Sequence, residues 1–184
     1  MKRFTALFQA VDATTSTNEK VKALQAYFHD EMPGNSVWAL YLLMGKTRKR
    51  LITSRILREI FLQISDVPEW LFEESASHVG DTAETIALLL RDTPIAATIP
   101  QVMQIAAEDE ETLKNLVIDW WANLEDAEIF VLNKVLTGAF RMGASSKLVV
   151  KALAAEYDLT EAVLTHRLMG DIATTDDFYE SLID

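Results

Sequence analysis

The sequence predicts an all-α fold, a compact bundle of about ten helices that can divide into two packed helical subdomains. Three observations carry that expectation. Apolar residues recur three and four positions apart along nearly the whole chain, the spacing of one face of a helix. Ser, Thr and Asp stand where such runs begin and Gly where they end. The period-two alternation of strands is missing, and no convincing long repeat points to a solenoid.

Taken in order, Phe4, Leu7, Phe8 and Val11 mark a first helix. Ser16 with Glu19 forms a capping box that opens a second, carrying Val21, Leu24, Tyr27 and Phe28. Asn35 or Ser36 is expected to cap Val37 to Met44, with Gly45 as the stop. Thr53 or Ser54 starts a segment bearing Ile56, Leu57, Ile60, Phe61 and Ile64. A short helix from Trp70 to Ser75 follows Pro68, and Gly80-Asp81 leads into Thr82 to Leu90. The stretch Arg91 to Pro100, holding Pro94 and Pro100, is the expected internal break. Beyond it, Leu113, Leu116, Val117, Trp120, Trp121 and Leu124 keep a helical rhythm that Ile129, Leu132, Val135, Leu136 and Phe140 repeat. Leu148 to Ala155 and Ala162 to Met169 add two more helices, and the acidic end from Asp171 reads as a boundary or the start of a linker.

Composition narrows the function classes. The 184 residues suffice for one ordinary domain with a substantial core. Without cysteine there are no disulfides and no thiolate metal sites. No apolar run approaches the roughly 18 residues of a membrane span, and the N-terminus lacks the features of a secretion signal. The expectation is a monomer in the cytoplasm, in bacteria at the nucleoid, with no membrane partner. The net charge of -11 at first opposes a nucleic-acid partner, because phosphate contacts need cations. The charge is segregated, however. Met1 to Arg58 holds ten Lys and Arg against four Asp and Glu, and Lys134, Arg141, Lys147 and Lys151 meet no acid between Glu128 and Glu156. A binding face is a local matter, so net charge does not exclude one.

Nothing in the chain proposes an active site or a metal site. His29, His78 and His166 belong to no metal-ligand spacing, and the six glycines form neither a GxGxxG nor a phosphate loop of the Walker type. The acidic run Glu108 to Glu111 reads as a solvated helix start, where carboxylates complement the helix dipole. Trp120 and Trp121 point about 100° apart on a helix and cannot form one flat stacking platform, so core and helix-contact positions are expected for them.

The informative segment runs from Glu128 to Lys147. A helix enters Gly138, the chain turns through Arg141-Met142-Gly143, and a new helix opens at Ser145 or Ser146. The first turn of a helix offers unsatisfied N–H groups to an anion, glycine permits close approach, and Arg141 and Lys147 add charge beside it. By itself the same pattern also fits an ordinary capping turn.

The string Gly138-Ala139-Phe140-Arg141-Met142-Gly143-Ala144-Ser145 resembles the Gly-x-Leu-Arg-Ile-Gly turn of the N-terminal DNA-binding domain of ATP-dependent DNA ligases. Asp12 to Lys20 resembles that domain's opening segment, as do Leu43-Met44-Gly45 with the basic run to Leu51, and Gly80-Asp81. These landmarks follow the family's order across essentially the whole chain. The resemblance implies one helical domain over residues 1–184 that helps the ligase's own adenylation and OB domains encircle nicked double-stranded DNA. It also implies a grip on the minor-groove backbone without reading of sequence. The implied DNA-binding residues are Ser16, Thr17, Asn18, Lys20, Lys46, Arg48, Lys49, Arg50, Gly80, Gly138, Arg141, Gly143, Ser145, Ser146 and Lys147.

Two departures stand out: Phe140 replaces the usual leucine, and the acidic run Glu108 to Glu111 lies where relatives often carry basic residues. None of the nine lysines is followed by the x-Asp-Gly of the family's nucleotidyl-transfer motif. For this chain alone the expectation is therefore no enzyme and no cofactor, ATP and magnesium belonging only to the full-length ligase. The competing reading is an acidic helical adaptor that binds protein, has no affinity for DNA and uses its glycine turns only structurally. Salt-sensitive duplex binding separates the two.

Overall fold

The computed structural model describes residues 1–46, 50–90 and 109–184, and among these it contains helices and turns but no strand. The chain divides into a terminal unit, Lys2–Thr47 with Arg141–Asp184, and a central unit, Arg48–Phe140. Arg48, Lys49, Glu108 and the expected break from Arg91 to Pro100 lie outside the described residues.

The terminal unit is built from α1 (Lys2–Asp12), α2 (Thr17–Asp30), α3 (Pro33–Leu43), α9 (Ser146–Glu156), α10 (Glu161–Arg167) and α11 (Asp176–Ile183). Its most extensive helix pair is α2 with α9; α1 packs on α2, and α11 on α3. The expected apolar faces are the buried ones: Phe4, Leu7 and Val11 on α1, and Val21, Leu24, Tyr27 and Phe28 on α2. Rings run in sequence through this core, Phe4 on Tyr27, Tyr27 on Phe28, and Phe28 stacked on Tyr179 with centroids 6.3 Å apart. The Tyr157 hydroxyl donates to the Phe28 carbonyl at 2.9 Å and lies 3.3 Å from that of Tyr179. Within the acidic C-terminal stretch, Tyr179 and Leu182 are therefore buried anchors of α11.

Two helix starts differ from the sequence reading. Ser16 does cap α2, accepting from the Glu19 amide at 3.4 Å. The reciprocal half of the box is replaced: the Ser16 amide donates to the Thr14 hydroxyl oxygen at 3.1 Å, and the Thr14 hydroxyl donates to the Glu19 carboxylate. Neither Asn35 nor Ser36 caps α3, which begins at Pro33 after Met32. Proline arrives with helical φ and no amide to satisfy, which suits a first helical position, and Ser36 is left fully buried inside the helix.

The central unit contains α4 (Ser54–Ile64), α5 (Glu69–Val79), α6 (Thr82–Leu89), α7 (Glu110–Asn123) and α8 (Asp126–Leu136). Thr53 caps α4 through the Ile56 amide at 3.2 Å, and Asp109 caps α7 through Thr112 at 2.8 Å. Helix α5 outruns the expected Trp70 to Ser75 because the first available left-handed stop is Gly80, at φ +79°. Helix α6 packs chiefly on α8 and also meets α4 and α5. Both adjacent tryptophans are core residues. Trp121 donates from Nε1 to the Asn133 side-chain oxygen at 2.9 Å, and the Asn133 amide reaches the Ala83 carbonyl at 3.3 Å. This pairing satisfies the polar atoms that burial would otherwise penalise, and it ties α7, α8 and the start of α6 together.

Candidate nucleic-acid interface

Within the terminal unit, folding joins two of the segments singled out in the sequence. The ammonium of Lys20, on the first turns of α2, donates to the main-chain carbonyl of Gly143, 123 positions away. A Cβ at Gly143 would sit 3.3 Å from Lys20 Nζ, so glycine is what lets the ammonium come in over the turn. Ser16, Thr17 and Asn18 are exposed at the helix start beside it. The turn itself is tight, with the Ala144 amide donating to the Met142 carbonyl at 2.7 Å.

Ser145 is the N-cap of α9 and accepts from the Leu148 amide at 3.4 Å. In the first turn of any α-helix the leading N–H groups have no intrahelical acceptor, and here these belong to Ser146 and Lys147. Arg141, Ser145, Ser146 and Lys147 are all exposed, and no acidic residue lies between Glu128 and Glu156. The same helix end is approached by α3. Met44 joins Ser146, Lys147, Val150, Leu168 and the acidic Glu161 around a cavity of about 430 Å³. Gly45, at φ +71°, then ends α3: its amide donates to the Leu42 carbonyl, and the Lys46 amide to that of Tyr41. This paired closure satisfies two orphan carbonyls and leaves Lys46 exposed.

In the central unit the corresponding elements are Arg50 and Gly138. Helix α8 ends in the same paired closure, with Gly138 at φ +69°, its amide donating to Val135 and that of Ala139 to Lys134. The Leu136 carbonyl, exposed by the helix end, accepts from the Leu51 and Ile52 amides at 3.1 and 3.2 Å. That draws the end of the basic run against the glycine turn: a Cβ at Gly138 would lie 3.8 Å from Arg50 Cα. Phe140, in the leucine position of the family turn, is buried.

Gly80 belongs to a joint of a different kind. No atom lies within 4 Å of where its Cβ would be, while Asp81 caps α6 through the Glu84 amide at 3.1 Å and accepts a charged hydrogen bond from Lys134. Burial alone would raise the Asp81 carboxyl. The Lys134 ammonium and the Glu84 amide outweigh it and hold the group below the usual carboxylate range. The sequence placed Lys134 in a basic island that meets no acid; in space it is paired, its ammonium also lying 5.5 Å from the Phe130 ring centroid. Elsewhere in that island Arg141, Lys147 and Lys151 are exposed.

Sequence reasoning noted Thr14 and Met44 only within its landmark strings and gave neither a role; the first holds the Ser16 start in shape and the second lies beside Ser146 and Lys147. The Thr14-x-Ser16 spacing was a signal available for the former, since short hydroxyl side chains bond to backbone two residues on. Among the described residues no group of three His, Asp or Glu side chains is placed to hold a metal ion. A family model described as DNA ligase N terminus matches residues 1–154. A comparison with curated proteins finds no match.

Proposed function

Because the chain belongs to the N-terminal domain family of ATP-dependent DNA ligases, we propose that it binds nicked duplex DNA through the phosphate backbone and minor groove without reading sequence. The observation that carries this reading is the Lys20–Gly143 bond. It gathers the hydroxyl-rich start of α2, the Arg141–Gly143 turn and the N-terminus of α9 into one cationic, donor-rich surface within the terminal unit. Such a surface offers main-chain N–H groups, Ser and Thr hydroxyls and cations together, the donor set that phosphate oxygens accept from. Arg50 beside Gly138 supplies a second cationic element in the central unit.

The chain contributes grip and placement in this proposal, and the ligase's adenylation and OB domains, with ATP and magnesium, supply nucleotidyl transfer. The protein acts as a monomer in DNA replication, repair or recombination. Titration of nicked duplex at two salt concentrations tests it. Arg141→Ala with Lys147→Ala should weaken binding similarly for unrelated sequences and reduce the salt slope by about two. A folded double variant with unchanged affinity and slope would remove the turn from the interface.

A further inference from the structure

Trp70 is 69% exposed, whereas Trp38, Trp120 and Trp121, the other three tryptophans of the chain, are 6%, 7% and 3% exposed. It stands in the first turn of α5, in the central unit. Successive helical residues turn by about 100°, which sets Trp70 nearly opposite the buried Phe72 and on the same face as Glu74, one turn further on. Leu71, 39% exposed, borders that face. Behind it, Arg58 of α4 pairs with both Glu69 and Glu73, and its guanidinium carbon lies 6.0 Å from the Phe72 ring centroid. Glu74 is not engaged by Arg58; the His78 imidazole Nδ1 lies 3.7 Å from its carboxylate. From Ser54 to Leu90 the chain carries two basic residues, Arg55 and Arg58, against seven acidic ones; Glu59, Glu69 and Glu73 pair with these arginines and Asp81 with Lys134, so the surplus negative charge rests on Asp66, Glu74 and Glu84.

That balance repels a phosphate backbone and attracts a cationic partner. An indole face binds guanidinium or ammonium groups, and a carboxylate one helical turn away completes an ion pair to the same cation. A solvent-facing tryptophan is also the residue type on which protein interfaces concentrate their energy. We propose that the outer face of α5 docks a basic segment of a partner protein. An arginine or lysine lies over Trp70 with its charge toward Glu74, and an apolar neighbour covers Leu71. The site uses none of the residues assigned to DNA, so the two readings stand or fall separately.

A labelled amphipathic Leu/Arg peptide, its Leu/Glu counterpart and a nicked duplex serve as probes. The Leu/Arg peptide should bind saturably and protect Trp70, the accessible indole, from acrylamide quenching. Trp70→Ala and Glu74→Gln should each weaken that peptide about tenfold while leaving duplex affinity nearly unchanged. The Leu/Glu peptide should not bind. Equal peptide affinity in both variants would overturn the proposal, as would protection of Trp70 by the duplex. So would a Trp70 already shielded in the free chain, which would mean the face is covered by a second copy or by the chain itself. Both substitutions are at exposed positions, and unchanged circular dichroism confirms that the folded protein is being compared.

Discussion

The two glycines of the turn should fail in different ways when given a methyl group. At Gly138 the space is adequate, the nearest atom to a new Cβ being 3.8 Å away, but φ is +69°. An L-residue there is strained by about 1–2 kcal/mol, so Gly138→Ala should lower stability by that amount whatever its neighbours. At Gly143 the obstacle is Lys20 Nζ at 3.3 Å, the end of a flexible side chain, and the next atom is Val11 Cγ1 at 4.0 Å. Gly143→Ala should therefore displace the ammonium and forfeit one partly exposed, charge-assisted bond, about 1 kcal/mol at most after solvent screening. Lys20→Ala removes the same bond and also the obstacle. The two changes must then be non-additive, with Gly143→Ala nearly silent in the Lys20→Ala background, whereas Gly138→Ala should add to either. Urea unfolding followed by circular dichroism reads the stability cycle. Duplex titration reads the functional one, where a coupling of about 1 kcal/mol is roughly fivefold in affinity. Additive effects of Gly143→Ala and Lys20→Ala in both cycles would show that the Lys20–Gly143 contact organises nothing.

Three further outcomes are expected. Asn133→Leu strands the Trp121 N–H in the core and should destabilise the central unit by about 1–3 kcal/mol, visible as a lowered urea midpoint; a midpoint unchanged from the parent would mean the buried network is idle. His29 Nδ1 donates to the Glu156 carboxylate at 2.6 Å, and that hydrogen bond, followed by the carboxylate's charge, raises the imidazole pKa. A raised pKa in the folded state contributes stability that is complete below about pH 6.5 and fades as pH rises through the higher folded value. Loss of that fade in His29→Ala, followed by thermal unfolding across neutral pH, checks the assignment. Finally, incubation with ATP and magnesium should leave the chain free of covalent AMP; labelled adenylate on the protein would overturn the division of labour proposed above.

The helical class and most helix faces were readable because each buried face repeats at the helical period, as in Leu113, Val117, Trp120 and Leu124. The stops at Gly45 and Gly138 were readable for a different reason: left-handed φ is costly for other residues, so glycine marks the place. What could not be read was set by partners distant in sequence. Ser36 carries the signature of a cap but is swallowed by a helix that Pro33 starts earlier. Lys134 meets no acid along the sequence until Asp81, 53 positions upstream, is brought to it by folding. The boundaries of the two units, near 47 and 140, are hidden likewise, because they fall beside basic residues and turns. The candidate interface shows both sides of this. The Arg141-Met142-Gly143 turn announced itself, while its partner Lys20 could be chosen only by resemblance.

The pairing of α2 with α9 bears on how the protein is made. Because the terminal unit closes only through residues 141–184, the apolar face of Val21, Leu24, Tyr27 and Phe28 cannot be fully covered until α9 has been synthesised. At about 5–20 residues per second that interval lasts several seconds or more, during which the whole central unit is translated and free to fold. The early helices must therefore wait as a sticky, half-built core. Ribosome-bound chains ending before Ser146 should expose that surface to chaperones, and chains extending past Glu156 should withdraw it.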